Sequence, residues 1–405
     1  MQLLDLSDPD SFENGFPHDM FRQLRREQPV AWHEGDSHGG PGYWIISKYD
    51  DIRYIGRTPG LFSSAFGTNI QDRDDQRASS EGGLEAPVLL DMDPPHHVRY
   101  RKLVSAGFTP RQIAGLEEES QAIVASILDD VAAKGRCDFV TDIAAELPLQ
   151  VIAKLLGCPA EDRYRIFEWS NKMIGGEDPE YQAGEGDQMG AAAQMFLYAH
   201  GLAEERLKAP KDDLMSAILH GEVDGERITM AEFDAFFLIL AIAGNETTRN
   251  LISHGMLQLI RNPEAREKLT GDPSLIPSAV EEMLRYCAPV MYFRRTVTED
   301  TELRGQKLRK GDKVTLWYPS GNRDEEIFDD PDTFDVTRKP NHHLAFGVGE
   351  HFCLGTHLAR QEIRAMFQQL LTRLPDIELD GEVSYMRSHF IDGIKHIPVR
   401  FTPEA

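Results

Sequence analysis

One long helix limits what this chain can fold into more than any other feature. Thr229-Met-Ala-Glu232 has the spacing of a capping box, in which a hydroxyl and a carboxylate satisfy the free N–H groups of a helix start. The next breaker is Asn262-Pro263. A helix between them is about 50 Å long at a rise of about 1.5 Å per residue, enough to cross a whole domain. It carries Phe233, Phe236, Phe237, Leu238, Ile239 and Ile242. Being apolar nearly all round, it has to be buried.

Other helices must surround it, and the apolar spacing predicts them. Pro94-Pro95 opens one that reaches about Phe108. Others run from Pro110 to Ala133, Ala144 to Leu156, Ala191 to Leu207 and Pro277 to Tyr286. The last begins just after Cys353 and reaches about Leu374. Strand-like pieces lie over Gly42 to Tyr49, Leu308 to Tyr318 and His396 to Phe401, and two long polar loops over Phe66 to Val88 and Gly175 to Gly190. The expected fold class is mainly α with a small β portion. No linker or repeat divides the 405 residues, so residues 1–405 read as a single domain, large enough to enclose a cofactor.

The middle of the long helix breaks its own rules. It reads Ala243-Gly244-Asn245-Glu246-Thr247-Thr248. An interior glycine costs about 1 kcal/mol against alanine. A buried acid costs more unless paired. Such a local violation in a strong helix marks a site. The small pair Ala243 and Gly244 makes a groove where dioxygen can sit, and a hydroxyl and an acid can supply protons. Taken alone, the hydroxyls could equally bond back to helix carbonyls.

A second stretch, Phe346-Gly-Val-Gly-Glu-His-Phe-Cys353-Leu-Gly355, is the most informative in the chain. Its two glycines before the cysteine permit a tight loop and a close approach of backbone to a flat ligand. The cysteine stands at a helix start, which favours thiolate. By itself it could be an ordinary buried cysteine. Zinc on His351, Cys353 and His357 is another option, but it needs a fourth ligand and the usual paired spacing.

Charge excludes some partners. There are 43 basic and 67 acidic residues, a net of −24, which disfavours nucleic acid and anionic membrane. Met1 to Pro9 has neither a basic region nor a long apolar one, and no apolar run is long enough to span a bilayer. The four cysteines form no C-x-x-C pair. A cytoplasmic protein with reduced thiols and no membrane anchor is expected.

Phe346-x-Gly-x-Glu-His-x-Cys353-x-Gly355 resembles the haem-binding loop of the cytochromes P450, soluble bacterial class, and the resemblance covers nearly the whole chain. It implies haem b between the long central helix and the cysteine loop, with Cys353 as the metal ligand and Phe346 and Gly347 in the loop against the cofactor. A thiolate ligand favours O–O cleavage. Ala243 and Gly244 then lie against the haem, Thr247 steadies dioxygen and Glu246 gates proton delivery, as catalytic residues. Glu282-Met-Leu-Arg285, by spacing alone a common ion pair, resembles the family's structural element completed by Arg338. His97, Arg101, Arg295 and His351 match the partners of the two haem propionates. Ile239, Ala243, Val290, Met291, Tyr292 and Phe390 are the expected substrate pocket, the first five by register with the family.

The function implied is a monooxygenase that hydroxylates an unactivated C–H bond. Ala243 to Asn250, Leu316-Trp-Tyr318, Asn322-Arg-Asp324 and Gly393-Ile-Lys395 resemble the subgroup acting on sterol side chains and methyl-branched lipids. The apolar pocket suits such a lipophilic substrate, or a terpenoid. The loop Phe346 to His351 lacks an extra residue that some of the subgroup carry. Electrons would come from a separate ferredoxin and an NAD(P)H-dependent ferredoxin reductase. Arg99, Arg101, Lys102 and Arg111, extended by Arg360 and Arg364, form the local basic patch for such a partner. The protein is expected to act as a monomer. Two alternatives are a peroxide-driven haem-thiolate hydroxylase and a haem-based ligand sensor. If Cys353 is the ligand, Cys353→Ser abolishes the thiolate signature in the reduced carbon-monoxide spectrum; a persisting signature moves the ligand elsewhere.

Overall fold

The computed structural model describes residues 4–35, 42–70, 87–105, 108, 115–181, 187–211, 213–222 and 225–404. The capping box forms as its spacing predicts. The Glu232 N–H donates to Thr229 Oγ1 at 3.2 Å, and the Thr229 N–H donates to the Glu232 carboxylate at 2.8 Å. The helix it starts is Met230–Arg261, with most of its side chains buried.

Helices Glu146–Leu155, Arg163–Ile174, Asp187–Lys208, Ile276–Tyr286 and Thr356–Arg373 pack around this central helix. The approach of Glu146–Leu155 depends on Gly244. A Cβ there would lie 2.6 Å from Ile152 Cδ1. On that side the glycine serves helix packing, while its own surface stays partly open.

The β portion is small. One sheet has the order Val30–His33, Tyr43–Ile46, Lys313–Trp317, Tyr292–Val297, Phe62–Ser63. Tyr43–Ile46 runs parallel to Lys313–Trp317, and the other pairs are antiparallel. A second sheet sets Pro398–Arg400 between Arg136–Asp138 and Glu378–Leu379. Phe12, Phe16 and Phe21 from the N-terminal region pack against Trp317, which in turn meets Tyr292.

Several boundaries differ from expectation. The strand over Gly42 to Tyr49 stops at Ile46, and Tyr49 begins a helix, Tyr49–Gly56. The loop expected over Gly175 to Gly190 gives way to helix at Asp187. Helices His18–Glu27, Arg163–Ile174 and Leu214–His220 were not anticipated. Residues 71–86 of the first long loop, and 110–114 of the helix expected from Pro110, lie outside the described residues. Among the described residues, no helix is long and apolar enough to cross a membrane.

The irregular segment before the cysteine loop is held by ions. Arg285 donates to both Glu282 oxygens at 2.8 and 2.7 Å, and both side chains are fully buried. Its guanidinium also donates to the carbonyls of Asn322, Pro331 and Thr333. Arg338 reaches the same carboxylate at 3.2 Å. The N–H of Asp335 and the Asn341 amide donate to it as well. Glu282, Arg285 and Arg338 are thus brought together in one network. Removing one partner of a buried pair strands the other charge, so Glu282→Ala is expected to cost about 3–5 kcal/mol. Urea unfolding followed by far-UV circular dichroism checks this; a loss below about 1 kcal/mol, the range of an exposed pair, would contradict it.

Candidate functional site

The cysteine loop is a closed turn pinned at both ends. The Cys353 N–H donates to Phe346 O at 2.9 Å, and the Phe352 N–H to Gly349 O at 3.1 Å. Gly349 has a φ of 82°, and a Cβ on it would meet Gly56 O at 1.9 Å. Only glycine lets the loop press against the end of Tyr49–Gly56. Glu281, beside Glu282, grips both flanks: Arg360 donates to it at 2.6 and 2.8 Å, and His343 lies 3.1 Å away. Burial pushes the Glu281 carboxyl up, but the bonds from His343 and Arg360 outweigh it and hold the group at about 2. Arg360 also stacks over the Phe346 ring at 4.6 Å.

Cys353 sits deep in the fold, yet its surface is open. Ala243, midway along the buried central helix, is likewise open, and Gly244 and Thr247 are partly so. We read these open surfaces, on the cysteine loop and on an otherwise buried helix, as the two sides of one internal hollow. Its surroundings push the Cys353 thiol up by burial, against the Gly355 N–H and the charges of Arg101 and Arg360. A cation on the sulfur would tip that balance to thiolate.

Next to the cysteine is a group of cationic and donor side chains with too few acids. The rings of His97 and His351 are 4.2 Å apart. Both nitrogens of His97, and Nε2 of His351, are buried without a partner. Burial, then Arg101 and Arg295, depress His97 to about 4; burial, then Arg295 and His97, depress His351 to about 2. Arg295 is enclosed and donates to Arg294 O at 2.7 Å. Arg101 donates to Phe352 O at 2.5 Å. Asp93, the acid nearest His97, is already engaged by Ser63 and the Ser64 N–H. Buried donors without acceptors are costly. They call for an anion, and the two carboxylates of a haem fit. The four residues expected to meet the propionates are therefore brought together. The zinc alternative fares worse: His351 turns onto His97, and no group of three or more ligating side chains among the described residues is placed to hold a metal ion.

On the central helix, Thr247 Oγ1 donates to Ala243 O at 2.9 Å. Glu246 is fully buried; Arg249 holds Oε2 at 2.5 Å, while Oε1 has no partner. Arg249 is anchored in turn on Asn171 Oδ1 at 2.8 Å. Burial pushes the Glu246 carboxyl up, partly offset by Arg249 and Asn250.

The pocket wall needs correction. Side chains alternate along a strand, so in Tyr292–Val297 Phe293 shares a face with Arg295, which is turned to His97 and His351. Tyr292 points the other way. It is fully buried, its ring 4.7 Å from Trp317 and its hydroxyl donating to Asn69 at 3.0 Å. Met291 is fully buried in the same cluster. Neither lines the hollow. Phe293, which sequence reasoning missed, is half-buried and edge-on to Phe390 at 5.6 Å; counting back two residues from Arg295 would have found it. Ile239, Val290 and Phe390 are half-buried, as a pocket wall requires.

The basic patch also shrinks. Arg99 pairs with Glu226 at 2.8 Å, Arg360 with Glu281, and Arg101 is turned to the Phe352 carbonyl. Lys102 remains exposed, and Arg111 lies outside the described residues.

A family model described as Cytochrome P450 matches residues 274–380. The methyl-branched lipid omega-hydroxylase of Mycobacterium tuberculosis is 43% identical over 392 residues, covering 94% of this chain and 90% of that protein. The steroid C26-monooxygenase of Rhodococcus jostii is 39% identical over 402 residues, 98% of this chain and 84% of that one. A Mycobacterium marinum cytochrome P450 solved in complex with pseudoionone superposes with a TM-score of 0.92 at 38% identity, covering 99% of both chains. A shared fold, a cysteine loop and relatives this similar over nearly the full length carry one conclusion: the chain belongs to the cytochrome P450 family and is a haem b monooxygenase.

Proposed function

We propose that this enzyme hydroxylates an unactivated C–H bond of a lipophilic substrate, namely a methyl-branched lipid, a sterol side chain or a terpenoid. Dioxygen is the oxidant, and a separate ferredoxin, served by an NAD(P)H-dependent reductase, gives two electrons. What supports the reading is that Ile239, Val290, Phe293 and Phe390 are apolar and only half-buried, while Ala243 on the central helix and Cys353 have open surfaces. Such side chains offer a substrate shape and dispersion but no charge. Relatives named for methyl-branched lipids and steroids, and a structural neighbour holding pseudoionone, support the same class.

Haem bound through a thiolate supplies the activation of dioxygen, one atom of which enters the C–H bond while the other leaves as water with two electrons and two protons. The chain's residues do the rest. Cys353 is the metal ligand, on a loop that Phe346 O, Gly347 and Gly349 keep closed. His97, Arg101, Arg295 and His351 take the propionates. Thr247 has spent its proton on Ala243 O, so its oxygen is the atom free to accept a bond from the hollow side. Glu246 moves protons: its enclosed carboxyl is pushed towards the protonated form, one oxygen is held by Arg249, and the other is unpartnered. Arg249 and Asn171 set where that carboxyl points. The enzyme acts as a cytoplasmic monomer of one domain, and Lys102 marks the face that receives the ferredoxin.

The test is a Soret titration of the ferric holoenzyme with a sterol ketone, a methyl-branched fatty acid, a monoterpene and a sesquiterpenoid, followed by turnover of whichever shifts the band. A high-spin shift and an alcohol product with ferredoxin, reductase and NADPH are expected. No shift with any class discards the substrate reading; equal rates with peroxide alone discard the ferredoxin. In Thr247→Ala the same substrate is expected to bind with unchanged affinity while NADPH consumption is diverted to hydrogen peroxide. Full coupling in that variant removes the role given to Thr247.

A further inference from the structure

Ala243, Thr247, Asn250 and His254 follow one another at intervals of four, three and four residues on the central helix. At 3.6 residues per turn they share one stripe. The first two open on the hollow. The next two hold a different part of the chain. Asn250 Oδ1 accepts from the Ile394 N–H at 3.1 Å. His254 Nε2 lies 2.9 Å from Asp392 O and 3.6 Å from its carboxylate.

Those contacts clamp the turn that carries Phe390. Inside the turn, Ser388 Oγ accepts from the N–H groups of Phe390 and Ile391, both at 3.1 Å. On its far side, the Met291 N–H donates to Phe390 O at 3.0 Å, the Asp392 N–H donates to Pro289 O at 2.8 Å, and Val290 bridges Ile391. The turn is thus fixed between the strand start at 289–291 and the central helix. Phe390 stands edge-on to Phe293.

Apolar side chains would pack this helix against the turn without the cost of burying an amide and an imidazole. Directional bonds give what packing alone does not: a fixed register between the turn and the helix. We infer that Asn250 and His254 are positioning residues for regiochemistry, setting how far Phe390 stands from Thr247 and so which substrate carbon is hydroxylated. The inference rests on the functional reading above, because it takes Phe390 as pocket wall. Asn250 also faces Glu246 one turn earlier, so His254, which does not, is the cleaner probe.

The experiment uses the haem-loaded enzyme, a methyl-branched fatty acid, a surrogate ferredoxin, its reductase and NADPH. The variants are Asn250→Leu, His254→Leu and His254→Gln, the last keeping an N–H donor. Amide exchange over 388–394 reports the turn, and the ratio of terminal to subterminal alcohol reports the geometry. Both leucine variants are expected to speed exchange about fivefold, the weight of one net hydrogen bond, and to shift the alcohol ratio by at least about twofold. His254→Gln returns both towards wild type. A merely structural role would lower the melting temperature and leave the ratio alone. Faster exchange with a wild-type ratio therefore overturns the inference, and so does unchanged exchange. If Asn250→Leu does not retain haem, His254→Leu decides alone. Failure of the functional reading looks different: wild type itself neither shifts its Soret band nor yields an alcohol with any lipophile, which overturns that reading and this inference with it.

Discussion

The functional end of the molecule hangs on one buried carboxylate, Glu282. Between the short helix that starts at Tyr318 and the one at Thr356, the chain runs through residues with little regular structure. Such backbone leaves carbonyls that neither helix nor sheet can satisfy. A guanidinium offers five donors in a fixed fork, and Arg285 spends them on Glu282 and on the carbonyls of Asn322, Pro331 and Thr333. Arg338 adds the carbonyls of Asp329 and Asp330. Glu282 sets its single negative charge between the two cations, and the backbone carbonyls take up the rest of their donors. Glu281, its neighbour in sequence, fixes His343 before the cysteine loop and Arg360 after it. Two adjacent acids on one helix thereby locate Cys353, which neither of them touches.

The haem side is organised by the opposite condition, an imbalance. His97, His351, Arg101 and Arg295 converge where the nearby acid is already engaged, and three imidazole nitrogens stay without partners. Without an anion such a cluster works against folding; with two propionates it becomes a set of charge-assisted bonds. The two arrangements are complementary. The Glu282 network is complete within the chain and gives the loop its shape. The cluster of His97, His351, Arg101 and Arg295 is incomplete within the chain and calls for an anion.

Much of this was legible in the sequence, for reasons that can be named. The capping box at Thr229 is a local pattern with a local cause, and it set the start of the central helix correctly. The cysteine loop is legible because closing it requires glycine, at Gly349 by direct contact with Gly56 O. What was not legible depends on phase or on distant partners. Tyr292 was placed on the wrong strand face, because two adjacent arginines leave the alternation ambiguous until one is seen beside His97, and Met291, just before the strand, is buried in the aromatic cluster. Arg360 read as part of a basic patch because its neutralising partner, Glu281, is 79 residues away in sequence. Helix Arg163–Ile174 was missed; its buried face is only Ile166, Trp169 and Ser170, too sparse a pattern to stand out among polar residues.

Gly244 was legible as an anomaly, and its surroundings show how the central helix works. An interior glycine signals that something approaches closely, without saying from which side. Here the side is Ile152. That contact brings Glu146–Leu155 against the helix and leaves Ala243 and Thr247, on another face, open to the hollow. A third face carries Glu246 and Arg249 towards Asn171 on a neighbouring helix. Asn250 and His254 continue the open face to the Phe390 turn. A helix is stiff over four turns, so the hydroxyl at Thr247, the acid at Glu246 and the pocket wall at Phe390 are all placed by one rigid element. Of the departures from good helix chemistry, Gly244 admits the close approach of a neighbouring helix and Glu246 is where the element meets a charged partner; each costs stability that the long buried apolar stretch around it offsets.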